Sequence, residues 1–243
     1  MNTLLILFFG FSTMLQGNPD AGEILERVDQ NMSSRNRVVE STMIIHGRRQ
    51  NRTITSKTYS VGDTKSFTEY LSPAREQGTK MLKLEDQLWI YSPDSDRTIQ
   101  ISGHMLRQSV MGSDLSYKDM MDDRKLQEVY NAESTGEATI DDRMCYQLHL
   151  TAKVDDASYE SQKLWIDKAR YIPLKQELYA KGGQLLKRVT LSDVEKVEGR
   201  WFPMKMVYKD MLKQGDGTEF QVTSIRFNQD IPEYIFTKAA LKQ

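Results

Sequence analysis

The run MLKLEDQLWIYSPDSDRTIQ, residues 81–100, decides how this chain folds. It reads as a strand, a tight polar turn at Glu85-Asp86, a second strand carrying Trp89 and Tyr91, a Pro-Asp turn, and a third strand. Leu82 and Leu84 share one face of the first strand, while Met81, Lys83 and Glu85 share the other. Side chains alternate between the two faces of a strand, so this pattern predicts a sheet with one buried and one wet side. Pro73 and Gly78 precede the stretch, and a methionine-rich irregular segment follows it.

Outward from this core, strand signals continue almost without pause. Val39–Ile45, Arg52–Ser60 and Lys65–Leu71 lie before it. Met144–Lys153, Lys163–Asp167, Leu174–Ala180, Leu185–Val194, Met204–Met211 and Thr218–Phe227 lie after it. Gly62-Asp63, Gly182-Gly183, Glu198-Gly199 and Gly215-Asp216-Gly217 separate neighbours. Turn signals at this spacing predict an antiparallel meander of about ten or eleven strands. So many strands in an open flat sheet would leave an apolar face uncovered. The expected fold is therefore α+β: a curved antiparallel half-barrel whose concave face is plugged by helices.

Composition sets outer limits. The chain has 243 residues, is 39% hydrophobic and 28% charged, and carries a formal net charge of −1. That balance fits a globular protein and gives no basic bias towards nucleic acid. The lone Cys145 cannot form an internal disulfide, so packing alone must hold the fold.

Leu4–Phe11 (LLILFFGF) is too short to span a bilayer, which takes about 20 residues. With the polar break at Gln16-Gly17-Asn18-Pro19 it reads as a secretory signal over residues 1–17, the alternative being a buried N-terminal strand. A mature domain over 18–243 would follow, free in the periplasm and without a lipid anchor. Asp20 and Glu23 form a capping box opening a helix to about Met32, with Ile24, Leu25, Val28 and Met32 on one stripe.

Ser102–Lys125 breaks the strand pattern. Its apolar residues include Met105, Leu106, Val110, Met111, Leu115, Met120 and Met121, and Gly103 and Gly112 interrupt it. Two short helical pieces are expected, the second starting near Ser113 or Asp114. Methionine is unbranched and polarizable, so such a surface adapts to ligands of varied shape. The segment is either a packed crossover with methionine as filler or a mobile lid over an acyl-chain cavity. On the second reading the cavity and lid candidates are Leu82, Leu84, Trp89, Tyr91, Met105, Leu106, Val110, Met111, Leu115 and Met120.

Catalytic and metal motifs are sparse. His46, His104 and His149 have no metal-ligand spacing, and no HExxH, G-x-S-x-G, P-loop or Rossmann glycine pattern occurs. His104 with Ser109, Ser113 and Asp114 is the one sketch of a nucleophile, base and acid. No metal and no cofactor are expected.

In order, these pieces resemble the LolA-like outer-membrane lipoprotein-sorting proteins. The resemblance rests on Leu88-Trp89-Ile90-Tyr91-Ser92-Pro93, on the amphipathic helix Asp20–Met32, and on Ile231-Pro232-Glu233-Tyr234-Ile235-Phe236-Thr237 near the C-terminus. Ser113-Asp114, Tyr117 and Asp119 look closest to an uncharacterised bacterial branch. The resemblance implies a LolA/LolB-like fold and a monomeric, non-enzymatic periplasmic carrier. Its cargo would be the acyl chains of lipoproteins or lipids, passed from an inner-membrane donor to an outer-membrane acceptor. It also implies a lid latched by an arginine before the proline matching Pro73, but Ser72 stands there and Arg75 follows, so that role is not carried over. A lipid-responsive envelope sensor or scaffold of the same fold, and a hydrolase of acylated substrates, are the alternatives.

One magnitude constrains a carrier. Burying a methylene stabilises by roughly 0.8 kcal/mol, so full burial of a 16-carbon chain approaches about 12 kcal/mol. Release therefore requires partial burial and a soft lid.

Overall fold

The computed structural model describes residues 19–47 and 49–243. The signal reading of residues 1–17 lies outside the described residues. Helix α1 (Ala21–Met32) opens as expected, with the Asp20 carboxylate accepting from Glu23 N at 2.8 Å and the Glu23 side chain returning to Asp20 N.

Thirteen strands follow in one sheet. They are β1 (Asn36–Ile45), β2 (Arg52–Val61), β3 (Lys65–Ser72), β4 (Lys80–Leu84), β5 (Gln87–Ser92), β6 (Arg97–Ile101), β7 (Tyr130–Ile140), β8 (Arg143–Ala152), β9 (Ser161–Asp167), β10 (Pro173–Tyr179), β11 (Leu185–Val197), β12 (Arg200–Asp210) and β13 (Thr218–Phe227). The order is β6-β5-β4-β3-β2-β1-β13-β12-β11-β10-β9-β8-β7, every neighbour pair antiparallel. Hairpins join sequence neighbours, and β1 pairs with β13 at the centre, so the sheet stays open with β6 and β7 as its edges.

This topology decides where residues 102–129 must go. They connect one edge of the sheet to the other, so they cross its face as a strap. Flat, thirteen strands would be roughly 58 Å wide. Bulges at Glu40/Ser41, Ser134/Gly136 and Leu178/Tyr179 help to bend the sheet into the half-barrel. The β12–β13 connection is tight as well. At Gly217 a Cβ would come within 2.4 Å of the Tyr208 carbonyl oxygen, so no larger residue fits there.

Three layers pack on the sheet. Ile24, Leu25 and Val28 of α1 bury against Leu148, Leu150, Leu164 and Ile166 at the β7 end. The strap covers Met43, Ile54, Tyr70, Met81, Leu88 and Ile101 at the β6 end. On the opposite face, Phe236, Ala240 and Leu241 of the C-terminal turns cover Phe67, Leu82 and Trp89. Residues 80–83 of the deciding strand are therefore buried on both sides, not wet on one. The alternation was real, but the tail supplies a second apolar partner from far along the chain.

Two further expectations need correction. Strand β7 adds to the predicted series; it forms a sheet edge with most residues exposed, so its sequence has no apolar alternation to reveal it. The strap is more broken than two helices. It runs as 3-10 turns at Gly103–Arg107 and Val110–Gly112, then α2 (Tyr117–Met121) and α3 (Leu126–Val129). Helix α2 starts after Ser116, not Ser113, because Ser116 and Asp119 make the capping box.

Candidate functional site

A cavity of about 740 Å³ lies between the strap, the end of α1 and the concave face of the central strands. Its floor can be read from the strand register. Ser41 lies at its edge, and beyond the edge Met43, Ser56 and Tyr70 line a small adjoining void, where Met43 pairs with Ile54 and Ser41 with Ser56 and then Tyr70. The next row is Val39, Thr58, Thr68 and Met81, and the last is Arg37, Ser60, Ser66 and Lys83. Polarity thus rises along the floor from an apolar end to a charged one. Hydroxyls pair across strands within it, Ser41 with Ser56 at 3.1 Å and Thr58 with Thr68 at 2.9 Å.

The apolar side of the cavity comes from elsewhere. Phe202, Met206 and Tyr208 of β12 and Phe220 and Val222 of β13 form one wall; Val28 and Met32 of α1 form another. Tyr208 meets Phe220 edge to face at 5.9 Å. Burial pushes the Tyr208 phenol up to about 12, helped by Asp119 and Asp123, so it stays neutral. The concave face is therefore amphipathic, apolar at the β12–β13 wall and polar along β1–β3.

The ten sequence candidates divide between two faces. Leu115 and Met120 line the cavity, and Val110 lines a void of about 30 Å³ that adjoins it. Met105, Leu106 and Met111 pack on the floor cluster beside Tyr70 and Met81 without bordering the larger cavity. Leu82, Leu84, Trp89 and Tyr91 lie on the other side of the sheet against the C-terminal segment, with the Lys238 ammonium 4.1 Å from the Trp89 ring centre. Leu82→Ala should therefore cost about 2–5 kcal/mol of stability and leave acyl-probe affinity unchanged in the folded fraction. Chemical denaturation paired with a binding titration checks this; weaker binding at full folding would put Leu82 back at the site.

Polar links fasten the strap. At the apolar end, Asp210 N and Thr218 Oγ1 donate to the Asp114 carboxylate, each at 2.9 Å, and Arg52 donates to the Met111 carbonyl at 3.2 Å. In α2, Asp119 accepts from Lys187 of β11 and from the Tyr159 hydroxyl. Burial alone would raise the Asp119 carboxyl, but Lys187 beside it holds it below the ordinary carboxylate range. Beyond α2, Lys83 and Arg37 reach Asp123, and Arg124 reaches Asp122 and Asp156. Asp29 of α1 accepts from Leu126 N and Gln127 N, tying α3 to the first helix. Ser72, at the expected latch position, instead shares a 2.6 Å hydrogen bond with Thr55.

The sketched catalytic set is not assembled. Ser113 is fully buried and donates to the Leu115 carbonyl, Asp114 is held by Thr218 and Asp210, Ser109 accepts from Lys213, and His104 is exposed. Sequence reading missed the β12 and β13 wall. Phe202, Met204, Met206 and Tyr208 alternate there with Pro203, Lys205 and Val207, a signal that was present but points into a cavity only once β13 is known to pair with β1.

Residues 62–243 match the model of a family described as "Uncharacterized protein". No curated protein matches the chain. Among solved structures, a DUF1329 family protein from Desulfovibrio piger is 26% identical, with 90% of this chain and 97% of that one covered and a TM-score of 0.81. An outer membrane lipoprotein-sorting protein domain from Vibrio parahaemolyticus is 24% identical over 92% of this chain and 98% of that one, TM-score 0.79. A LolA superfamily protein from Nitrosomonas europaea is 24% identical over 91% and 99%, TM-score 0.76. The chain belongs to the uncharacterised family whose model its residues 62–243 match, and its fold is that of these solved structures.

Proposed function

We propose that this protein is a periplasmic carrier that holds the acyl part of a lipid or lipoprotein under its strap and hands it on. The observation that supports this most is the cavity of about 740 Å³ walled by Met32, Met120, Met206, Phe220 and Val222. Pockets for single small ligands span roughly 300–1,000 Å³, so the space suits one ligand of modest size. Its amphipathic walls would bury a chain only in part, which keeps release feasible on the magnitudes given above. A donor in the inner membrane and an acceptor in the outer membrane complete the route, with the N-terminal segment as export signal.

Native mass spectrometry of protein isolated from the periplasm tests the reading. The expected result is a mature chain starting near Asn18, carrying co-purified lipid that is lost on organic extraction. A cytosolic chain retaining Met1, or a periplasmic one that neither carries lipid nor binds a fluorescent fatty acid, would refute it.

A further inference from the structure

The floor of the cavity ends in a row that an acyl chain has no use for. Arg37, Ser60, Ser66 and Lys83 are successive cross-strand partners on β1, β2, β3 and β4. Neighbouring strands lie about 4.8 Å apart, so the row is a pair of hydroxyls flanked by two cations. Arg37, Ser60 and Ser66 line the cavity directly. Lys83 is only 4% exposed and lies just behind the lining, under the strap residues 121–123, so it meets a ligand only where Asp123 gives way. Its ammonium donates to the Met121 carbonyl of the strap and lies 3.4 Å from Asp123 Oδ2. Arg37 donates to the other oxygen of the same carboxylate at 3.0 Å.

One strap carboxylate therefore sits between two cations of the floor. A buried ammonium is costly unless a carboxylate pairs with it closely. Lys83 has instead a close main-chain carbonyl and a carboxylate at the limit of hydrogen bonding. The other charges on this rim are largely occupied: Asp29 accepts from Leu126 N and Gln127 N, and Asp122 is held by Arg124 and Ser158. Lys125 and Glu128 pair with each other at 3.7 Å, and Asp63 and Arg35 also line the cavity.

We propose that the Arg37–Ser60–Ser66–Lys83 row is the headgroup site for an anionic amphiphile, with a phosphate monoester as the chemistry it fits, and that Asp123 is the group the headgroup displaces. This rests on the carrier reading, because the amphiphile's chain would lie along the Met120, Met206 and Phe220 wall. A phosphate brings three strong acceptor oxygens to the site, against two from Asp123, and the row offers a guanidinium, an ammonium and two hydroxyls. Displacing Asp123 also removes a hold that Arg37 and Lys83 have on the strap. Entry of the headgroup and loosening of the strap are then one event.

Competition against a fluorescent acyl probe tests this near neutral pH, using dodecyl phosphate, dodecanol and inorganic phosphate. Dodecyl phosphate should displace the probe at a concentration at least about tenfold lower than dodecanol, as expected for charge-assisted bonds. Arg37→Gln and Lys83→Met should each remove that preference, read as the ratio of dodecyl phosphate to dodecanol potency within the same variant, while Asp123→Asn should tighten dodecyl phosphate several-fold. If Lys83→Met does not fold, Arg37→Gln, whose side chain is partly exposed, decides alone. Equal potency of dodecyl phosphate and dodecanol, with both binding, would overturn the headgroup site and spare the carrier reading. Inorganic phosphate acting as well as dodecyl phosphate would assign the row to the free anion and overturn the amphiphile. Failure of both dodecyl compounds to compete would sink the carrier reading and this inference with it.

Discussion

Met120→Asp is expected to weaken binding of a long-chain acyl probe by at least about a hundredfold while leaving the protein folded. Met120 borders both the main cavity and the small void beside Val110, and it is only partly buried in the empty protein. A carboxylate there reaches water while the cavity is empty. It must be desolvated when a chain lies against it, at a cost of several kcal/mol for an unpaired charge, and each 1.4 kcal/mol is about tenfold in affinity. Asp119 next to it already pairs with Lys187, so that cation is not free to neutralise the new charge. Met111→Asp makes the contrast. Met111 does not border the main cavity, and its backbone sits at φ 51°, a conformation that aspartate tolerates better than most residues. Thermal unfolding with and without lipid, alongside probe titration, separates the two. Should Met120→Asp bind the probe like the wild type, the strap is ordinary core over an empty space.

The second large effect concerns the strap's anchor on β11. Asp119→Ala should cost about 3–5 kcal/mol, because it leaves Lys187 as an unpaired charge in a buried place. Both side chains are 11% exposed. The same substitution removes the acceptor for Tyr159 and the capping partner of Ser116. Asp119→Leu combined with Lys187→Met should recover much of the loss, since an apolar pair of similar volume replaces the ion pair. Chemical denaturation at neutral pH measures both; a single variant within 1 kcal/mol of wild type would mean that the pair contributes little.

Asp119 also predicts an acid limb. Its folded carboxyl lies below the ordinary value of 3.8, so its contribution is fully present above that value. As pH falls below 3.8 and through the lowered folded value, the contribution is lost. The wild type should therefore lose stability in that window more steeply than Asp119→Ala. Parallel acid profiles for the two proteins would refute the assignment.

How much of this was legible beforehand varies with the kind of signal. Alternation and turn residues placed the strands on either side of 81–100 because each strand's pattern is local to it. Capping did the same for α1, where Asp20 and Glu23 meet within one turn. The edge strand β7 escaped because an exposed strand needs no apolar face, and its Glu133, Thr135 and Glu137 say nothing about pairing.

The site was harder. Leu82, Trp89 and Tyr91 stood out as an apolar stripe, and sequence gives no means of telling which side of the sheet such a stripe faces. The tail around Phe236 and Leu241, more than a hundred residues away, settled that by packing over them. The hydroxyl floor was hidden for a related reason. Ser56, Thr58 and Ser60 alternate with Thr55, Lys57 and Tyr59, so neither face of β2 looks like a wall until β1 and β3 are laid beside it.

By itself the sequence determined the period of the chain: antiparallel strands, one capped helix, and a methionine-rich break too irregular to join the sheet. Periodicity follows from backbone geometry and needs no distant partner. Only the tertiary structure decided that the break is a strap from one sheet edge to the other, and that Arg37 and Lys83 close on one carboxylate of it. Those facts depend on strand order and on contacts between residues as far apart as 37, 83 and 123. Nothing local to those three residues encodes their meeting; the curl of the sheet brings them together.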